Sequence, residues 1–160
     1  MTDLHKVQNP DHSNVRIPPP LIYAGTFVAA FLLEQIFPVP IVPKTASRIA
    51  AVVCIAVWGI LSVWSISRFR RARTSFIPIK PATALVVSGP YRFTRNPMYL
   101  GFTFLYLALA FLFALFWGLI LLPVLIVIIQ RYVIAREEQY LERKFGEEYL
   151  GYKGRVRRWL

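Results

Sequence analysis

Histidine, cysteine and acidic side chains are all scarce in this chain. Its 160 residues contain two histidines, His5 and His12, and one cysteine, Cys54. A lone cysteine excludes a disulfide framework and a thiolate metal cluster, so no metal site is expected. Cys54 lies in an apolar run and reads as a small core residue. Only 8 Asp and Glu stand against 19 Lys and Arg, a net charge of +11, and charged residues are 17% of the whole. No internal repeat or low-complexity tract is visible, which argues against a transporter built from inverted halves. The polar, proline-rich start ending in "IPPP" does not lead from a short basic segment into an apolar one, so no cleavable signal is expected.

What the chain has in quantity is apolar surface: 56% hydrophobic and 15% aromatic residues, well beyond the norm for soluble domains. Excess positive charge suits either nucleic acid or an anionic membrane surface. Apolar runs of this length decide for the membrane, and no nucleic-acid partner is expected. Trp58, Trp64, Trp117 and Trp159 accordingly read as interface or packing aromatics.

Uncharged stretches define the spans. Residues 21–37 are interrupted only by Glu34, and 49–67 carry no charge; each approaches the ~20 residues that cross a ~30 Å hydrocarbon layer as a helix. The uncharged run 98–129 is too long for one perpendicular crossing. A hairpin broken near Trp117 and Gly118 resolves it into 98–116 and 118–135. The expected architecture is all-α: a polytopic membrane bundle of about four transmembrane helices, the third and fourth forming a hairpin, in a single domain over 1–160. A polar tail, 1–20, precedes it, and 68–97 and 136–160 are its soluble parts. Two Lys or Arg precede the first span, two lie in the first loop, seven in the second, none in the hairpin and eight from Arg131 onward. By the positive-inside rule both termini and the second loop face the cytosol. Arg68, Arg70, Arg71 and Arg73 serve this orientation and attraction to anionic lipid.

The stretch "SGPYRFTRNPMYLGF", 88–102, is dense in polar signals. Asn96 before Pro97 marks a helix start, with Asn as side-chain cap and Pro at the first helical position. Free amides there favour an anionic group, and Gly101 lets a ligand or a neighbouring helix approach. Ser88-Gly89-Pro90 is a turn that aims Tyr91 and Arg92 at the same place. In the tail, the fourth span is expected to continue as one helix through Phe145, stopped by Gly146. Glu137 and Glu138 then come close to the start of the third helix, with Arg131 between. Such a zwitterionic pocket suits an amino-acid-like ligand, carboxylate to amides and arginine, ammonium to glutamate. Glu34 reads as an interfacial or packing group at the outer side.

Together, "ALVVSGPYRFTRNPMYLGF" and "REEQYLERKFGEEYLGYKGRVRRW" resemble the isoprenylcysteine carboxyl methyltransferase family and its phospholipid-methyltransferase relatives, especially their short bacterial members. The resemblance covers roughly 74–159. It implies an integral membrane methyltransferase, in a bacterial cytoplasmic membrane, that takes S-adenosylmethionine from the cytosol and a lipophilic acceptor from the bilayer. By the resemblance, Thr83, Ala84, Leu85, Val86, Tyr91, Asn96, Pro97, Met98, Tyr99 and Glu137 contact the cofactor. Asn96 stands where the family has histidine. Val133 stands where the family has its substrate arginine, leaving Arg131 or Arg136 as a substitute. No catalytic side chain is assigned, because displacement at a sulfonium chiefly needs alignment and exclusion of water. A carboxylate acceptor is already ionised at neutral pH, whereas an amine must first lose a proton. The expectation therefore leans to an isoprenylcysteine-type carboxylate. A phospholipid amine methyltransferase, a sterol-type reductase and a non-enzymatic scaffold are the alternatives. The acceptor's identity and the oligomeric state are left open.

Overall fold

A computed structural model describes residues 15–39, 44–75 and 82–160 of the chain. The expectations for the tail before residue 15, with both histidines, and for Lys80 lie outside these residues. The fold is all-helical, and no strand occurs among the described residues. Helix α1 is Pro19–Ile36, α2 Lys44–Arg71, α3 Pro97–Leu112, α4 Phe116–Ile128, α5 Ala135–Phe145 and α6 Glu147–Arg155; a π turn, Ile129–Ile134, joins α4 to α5. Among the described residues, three helical stretches are long and apolar enough to cross a membrane: Pro19–Ile36, Lys44–Arg71 and the continuous Phe116–Phe145. With 16 residues, α3 extends only ~24 Å.

Local chemistry explains the helix limits. The "IPPP" run starts α1, because prolines at the first helical positions lack only amides that would be unpaired anyway. Helix α2 exceeds the apolar stretch at both ends, running from Lys44 to Arg71 with Arg68, Arg70 and Arg71 in its last turn, where cations complement the helix dipole. Gly146 ends α5 as expected, at φ +51, a conformation that L side chains rarely adopt.

One expected boundary is corrected. The hairpin turns at 113–115, with Ala114 at φ +52, and not at Trp117-Gly118. Gly118 is needed inside the helix pair: a Cβ there would meet the Ala110 Cβ at 2.9 Å. The absence of a side chain lets α3 and α4 approach, and the Tyr106 hydroxyl donates to Gly118 O at 2.9 Å.

Helix α2 packs chiefly on α3, and α1 on α4. Gly101 faces α2, 3.5 Å from Ser62 Oγ and 3.6 Å from Leu61 Cβ when given a Cβ, so it serves a neighbouring helix. At one end of the bundle, Ser47 Oγ donates to Phe111 O at 2.7 Å. Glu34 accepts there from Val39 N at 2.9 Å and from Trp117 N at 3.4 Å, fastening α1 to the start of α4. This agrees with its reading as a packing polar group. The opposite end gathers the start of α1, the end of α2, the start of α3 and α5.

Candidate functional site

That opposite end encloses a cavity of about 320 Å³, within the size range of small-ligand sites. Each wall comes from a different element. Pro18, Pro19 and Pro20 lead into α1, Phe69 ends α2, and Met98, Tyr99 and Phe102 occupy the first turns of α3. Glu137, Glu138, Tyr140 and Leu141 come from α5, and Tyr149 and Tyr152 from α6.

The irregular segment 82–86 is held in place by side chains. Ala82 N donates to Tyr140 Oη at 3.0 Å, and Thr83 N and Ala84 N to Thr74 Oγ1 at 2.9 and 3.4 Å. Backbone outside regular structure must find partners, and these bonds present Ala84, Leu85 and Val86 to the cavity. Tyr91 is pinned next to them: its carbonyl accepts from Tyr152 Oη at 2.7 Å, and its ring meets Phe69 edge-on at 5.5 Å. Burial pushes the Tyr91 phenol far above the usual tyrosine range, so it remains a neutral donor.

At the start of α3, Pro97 occupies the first helical position as expected. Asn96, expected as a side-chain cap, makes no capping bond. Its Nδ2 donates instead to Arg158 O at 2.9 Å, because a carbonyl from the C-terminal segment lies within reach. The first amides of α3 are thus left uncapped by that side chain. Opposite them, Tyr99 Oη donates to Glu137 Oε1 at 2.7 Å. Glu138 is buried between two guanidinium groups, Arg95 Nη2 at 3.2 Å from Oε1 and Arg158 Nη2 at 2.5 Å from Oε2. That hydrogen bond to Glu138 holds Arg158 above its ordinary pKa. The carboxylate pair is therefore split by role. Glu138 is neutralised within the protein, while Glu137 is held by a neutral phenol and retains capacity for a cation.

The structure brings together most of the residues singled out in the sequence. Ala84, Leu85, Val86, Tyr91, Asn96, Met98, Tyr99 and Glu137 line one cavity. Thr83 is exposed, with its hydroxyl donating to Arg73 O at 3.2 Å, and Pro97 is buried behind the wall. Arg131 is exposed and is not among the lining residues; Arg136 stacks over the Tyr132 ring at 4.4 Å. Val133 is fully buried in the core. Arg158, Tyr149 and Tyr152 were not singled out, and Arg95 only as the first residue of the motif 95–99. The available signal was Glu138: a carboxylate on the helix face turned toward the bundle requires cationic partners.

The cavity's donor set fits S-adenosylmethionine. A carboxylate with spare acceptor capacity suits an ammonium, helix-start amides without a side-chain cap suit a carboxylate, and a wall of tyrosine and aliphatic side chains suits a flat base beside a sulfonium.

Comparison with known proteins finds similarity to a family and to a curated protein. The family described as "Phospholipid methyltransferase" matches residues 46–148. A protein of Haemophilus influenzae (strain ATCC 51907 / DSM 11121 / KW20 / Rd), described as "Uncharacterized protein", is 60% identical over 37 residues, which are 23% of this chain and 59% of that protein. The chain thus spans about 59% of the length of the curated relative it matches. No solved structure matches.

Proposed function

We propose, since this chain belongs to the phospholipid methyltransferase family, that it transfers a methyl group from S-adenosylmethionine to a lipophilic acceptor drawn from the bilayer. The observation that carries this reading is the Tyr99–Glu137 bond of 2.7 Å, which joins the start of α3 to α5 at the cavity wall. When bound, S-adenosylmethionine supplies a methyl group on a positively charged sulfur. Glu137 and the first amides of α3 would hold its amino-acid end, Ala84, Leu85, Val86 and Tyr91 would flank its base, and Met98 and Tyr99 would position the methyl donor. The apolar walls exclude water from the exchange. The protein's contribution is alignment in a dry site.

The membrane arrangement belongs to the same proposal. Four crossings, with α3 as the short member of the hairpin, leave both termini and the cavity on the cytosolic side, as the distribution of basic residues favours.

For the acceptor we favour a carboxylate of the isoprenylcysteine type. No histidine is among the described residues lining the cavity, and a carboxylate needs no base to become nucleophilic. Arg131 stands outside the cavity and would meet an acceptor only at its approach. An aminolipid is the second reading, favoured by the family's own description; it would have to bind as the free amine, because Glu138 is held by two guanidinium groups and the Tyr91 phenol stays neutral.

The test is calorimetry of S-adenosylmethionine with detergent-purified protein, followed by transfer of labelled methyl to isoprenylated thiol acids and to aminolipids. Binding that disappears in Glu137→Ala supports the site, and the labelled product identifies the acceptor. Absence of binding in well-folded protein would favour a scaffold.

A further inference from the structure

Residues 156–160 lie beyond the part of the chain that the family match covers, yet they touch three parts of the site. The Arg95 backbone amide donates to Arg157 O at 2.9 Å. Arg158 O accepts from Thr94 Oγ1 at 3.2 Å and from Asn96 Nδ2 at 2.9 Å. The Arg158 side chain then crosses to α5, donating from Nε and Nη2 to both oxygens of Glu138, at 3.1 and 2.5 Å. Trp159 donates its indole N–H to Gln130 Oε1 in the π turn at 3.1 Å and packs on the main core. Helix α6 has already ended, and Val156 is extended. These tertiary bonds therefore position the segment, without help from a regular ladder of its own.

We propose that this C-terminal strap is a positioning clamp for the site, holding the start of α3 and the acidic turn of α5 at the separation a bound cofactor must span. The proposal rests on reading the cavity as a cofactor site. Arg158 acts through Glu138 and Asn96 and need not touch the ligand. A guanidinium grips both carboxylate oxygens and fixes the plane of Glu138, whereas an ammonium is a point charge without that control. The Glu138 side chain is only 7% exposed. With Arg158 absent, this buried charge would rest on Arg95 alone, and such a charge is relieved by movement or by entry of water. The neighbouring Glu137 belongs to the same helical turn and would shift with it. Displacements of this kind are felt at a site whose function is alignment.

The experiment uses the full chain in lipid nanodiscs, comparing wild type with Arg158→Ala, Arg158→Lys and a control, Arg155→Ala, whose side chain is exposed and bonds only within α6. Two quantities are read: amide hydrogen exchange over 94–100 without ligand, and affinity for S-adenosylmethionine. Arg158→Ala should exchange faster at Arg95 and the first turn of α3 and bind at least about tenfold more weakly, with helical content retained. Arg158→Lys should fall between, and Arg155→Ala should match wild type. Unchanged exchange in folded Arg158→Ala overturns the clamp. If Arg158→Ala does not fold, Arg158→Lys decides by the same readouts. Should wild type take up no S-adenosylmethionine while exchange still rises in the variant, the cofactor reading fails, and what stands is only that the strap holds the start of α3.

Discussion

Tyr99 and Glu137, 38 positions apart, are joined by a hydrogen bond of 2.7 Å from phenol to carboxylate. The bond holds the acid toward the cavity and leaves its second oxygen for a ligand. Tyr99→Phe should weaken S-adenosylmethionine binding about tenfold, the scale of one hydrogen bond to a charged group. Glu137→Gln, which keeps a bond to the phenol but loses the charge, should cost at least as much. Calorimetry measures both, and circular dichroism should report unchanged helicity.

Gly118 leaves room for Ala110 between α3 and α4. Gly118→Ala forces a methyl to within 2.9 Å of the Ala110 Cβ, an overpacking that should destabilise by about 1–3 kcal/mol. Gly25→Ala, where nothing lies within 4 Å of the added carbon, should be neutral or mildly stabilising because alanine favours helix. Thermal unfolding of the two variants in one detergent makes the comparison.

Glu34 acts far from the cavity. Glu34→Ala removes the acceptor for Val39 N and Trp117 N and should lower stability by about 1–3 kcal/mol, the cost of leaving such groups unpaired. Affinity for S-adenosylmethionine in the folded fraction should stay within about twofold of wild type, under the 1.4 kcal/mol of a decade. A large loss of affinity would mean that the two ends of the bundle are coupled.

Tyr91, Tyr149 and Tyr152 have phenols pushed above their ordinary value of 10.0, chiefly by burial. Above pH 10 the unfolded chain releases these protons before the folded one, so the folded state binds more protons and loses stability as pH rises. Stability should thus be insensitive to these groups below pH 10 and fall above it. Chemical unfolding across alkaline pH, with tyrosinate absorbance followed in parallel, tests this; Tyr149→Phe should make the fall shallower.

Much of this arrangement can be read from local sequence, and the exceptions share a cause. Composition is enough for α1 and α2, and Gly146 announces the end of α5 because a positive φ has few other occupants. The hairpin turn is invisible because 98–129 contains no charge to mark it. The glycine nearest its middle is used for helix contact, and the chain turns through Ala114 instead. Asn96 carries the signature of a side-chain cap, yet its partner is Arg158 O, 62 positions away; no rule confined to one helix end can anticipate that competitor. The basic tail is legible as an orientation signal, while its pairing with Glu138 exists only once α5 and the strap are brought together.

The π turn at Ile129–Ile134 has a further effect on the long rod that contains it. Its wider winding interrupts the regular 3.6-residue screw, so the apolar segment before it and the cavity-lining segment after it have separate angular settings. Substitutions that retune one for a thicker or thinner bilayer need not rotate the other. Removing a single residue from the turn would abolish that independence and swing both acids about 100° around the axis, away from the chamber they now face.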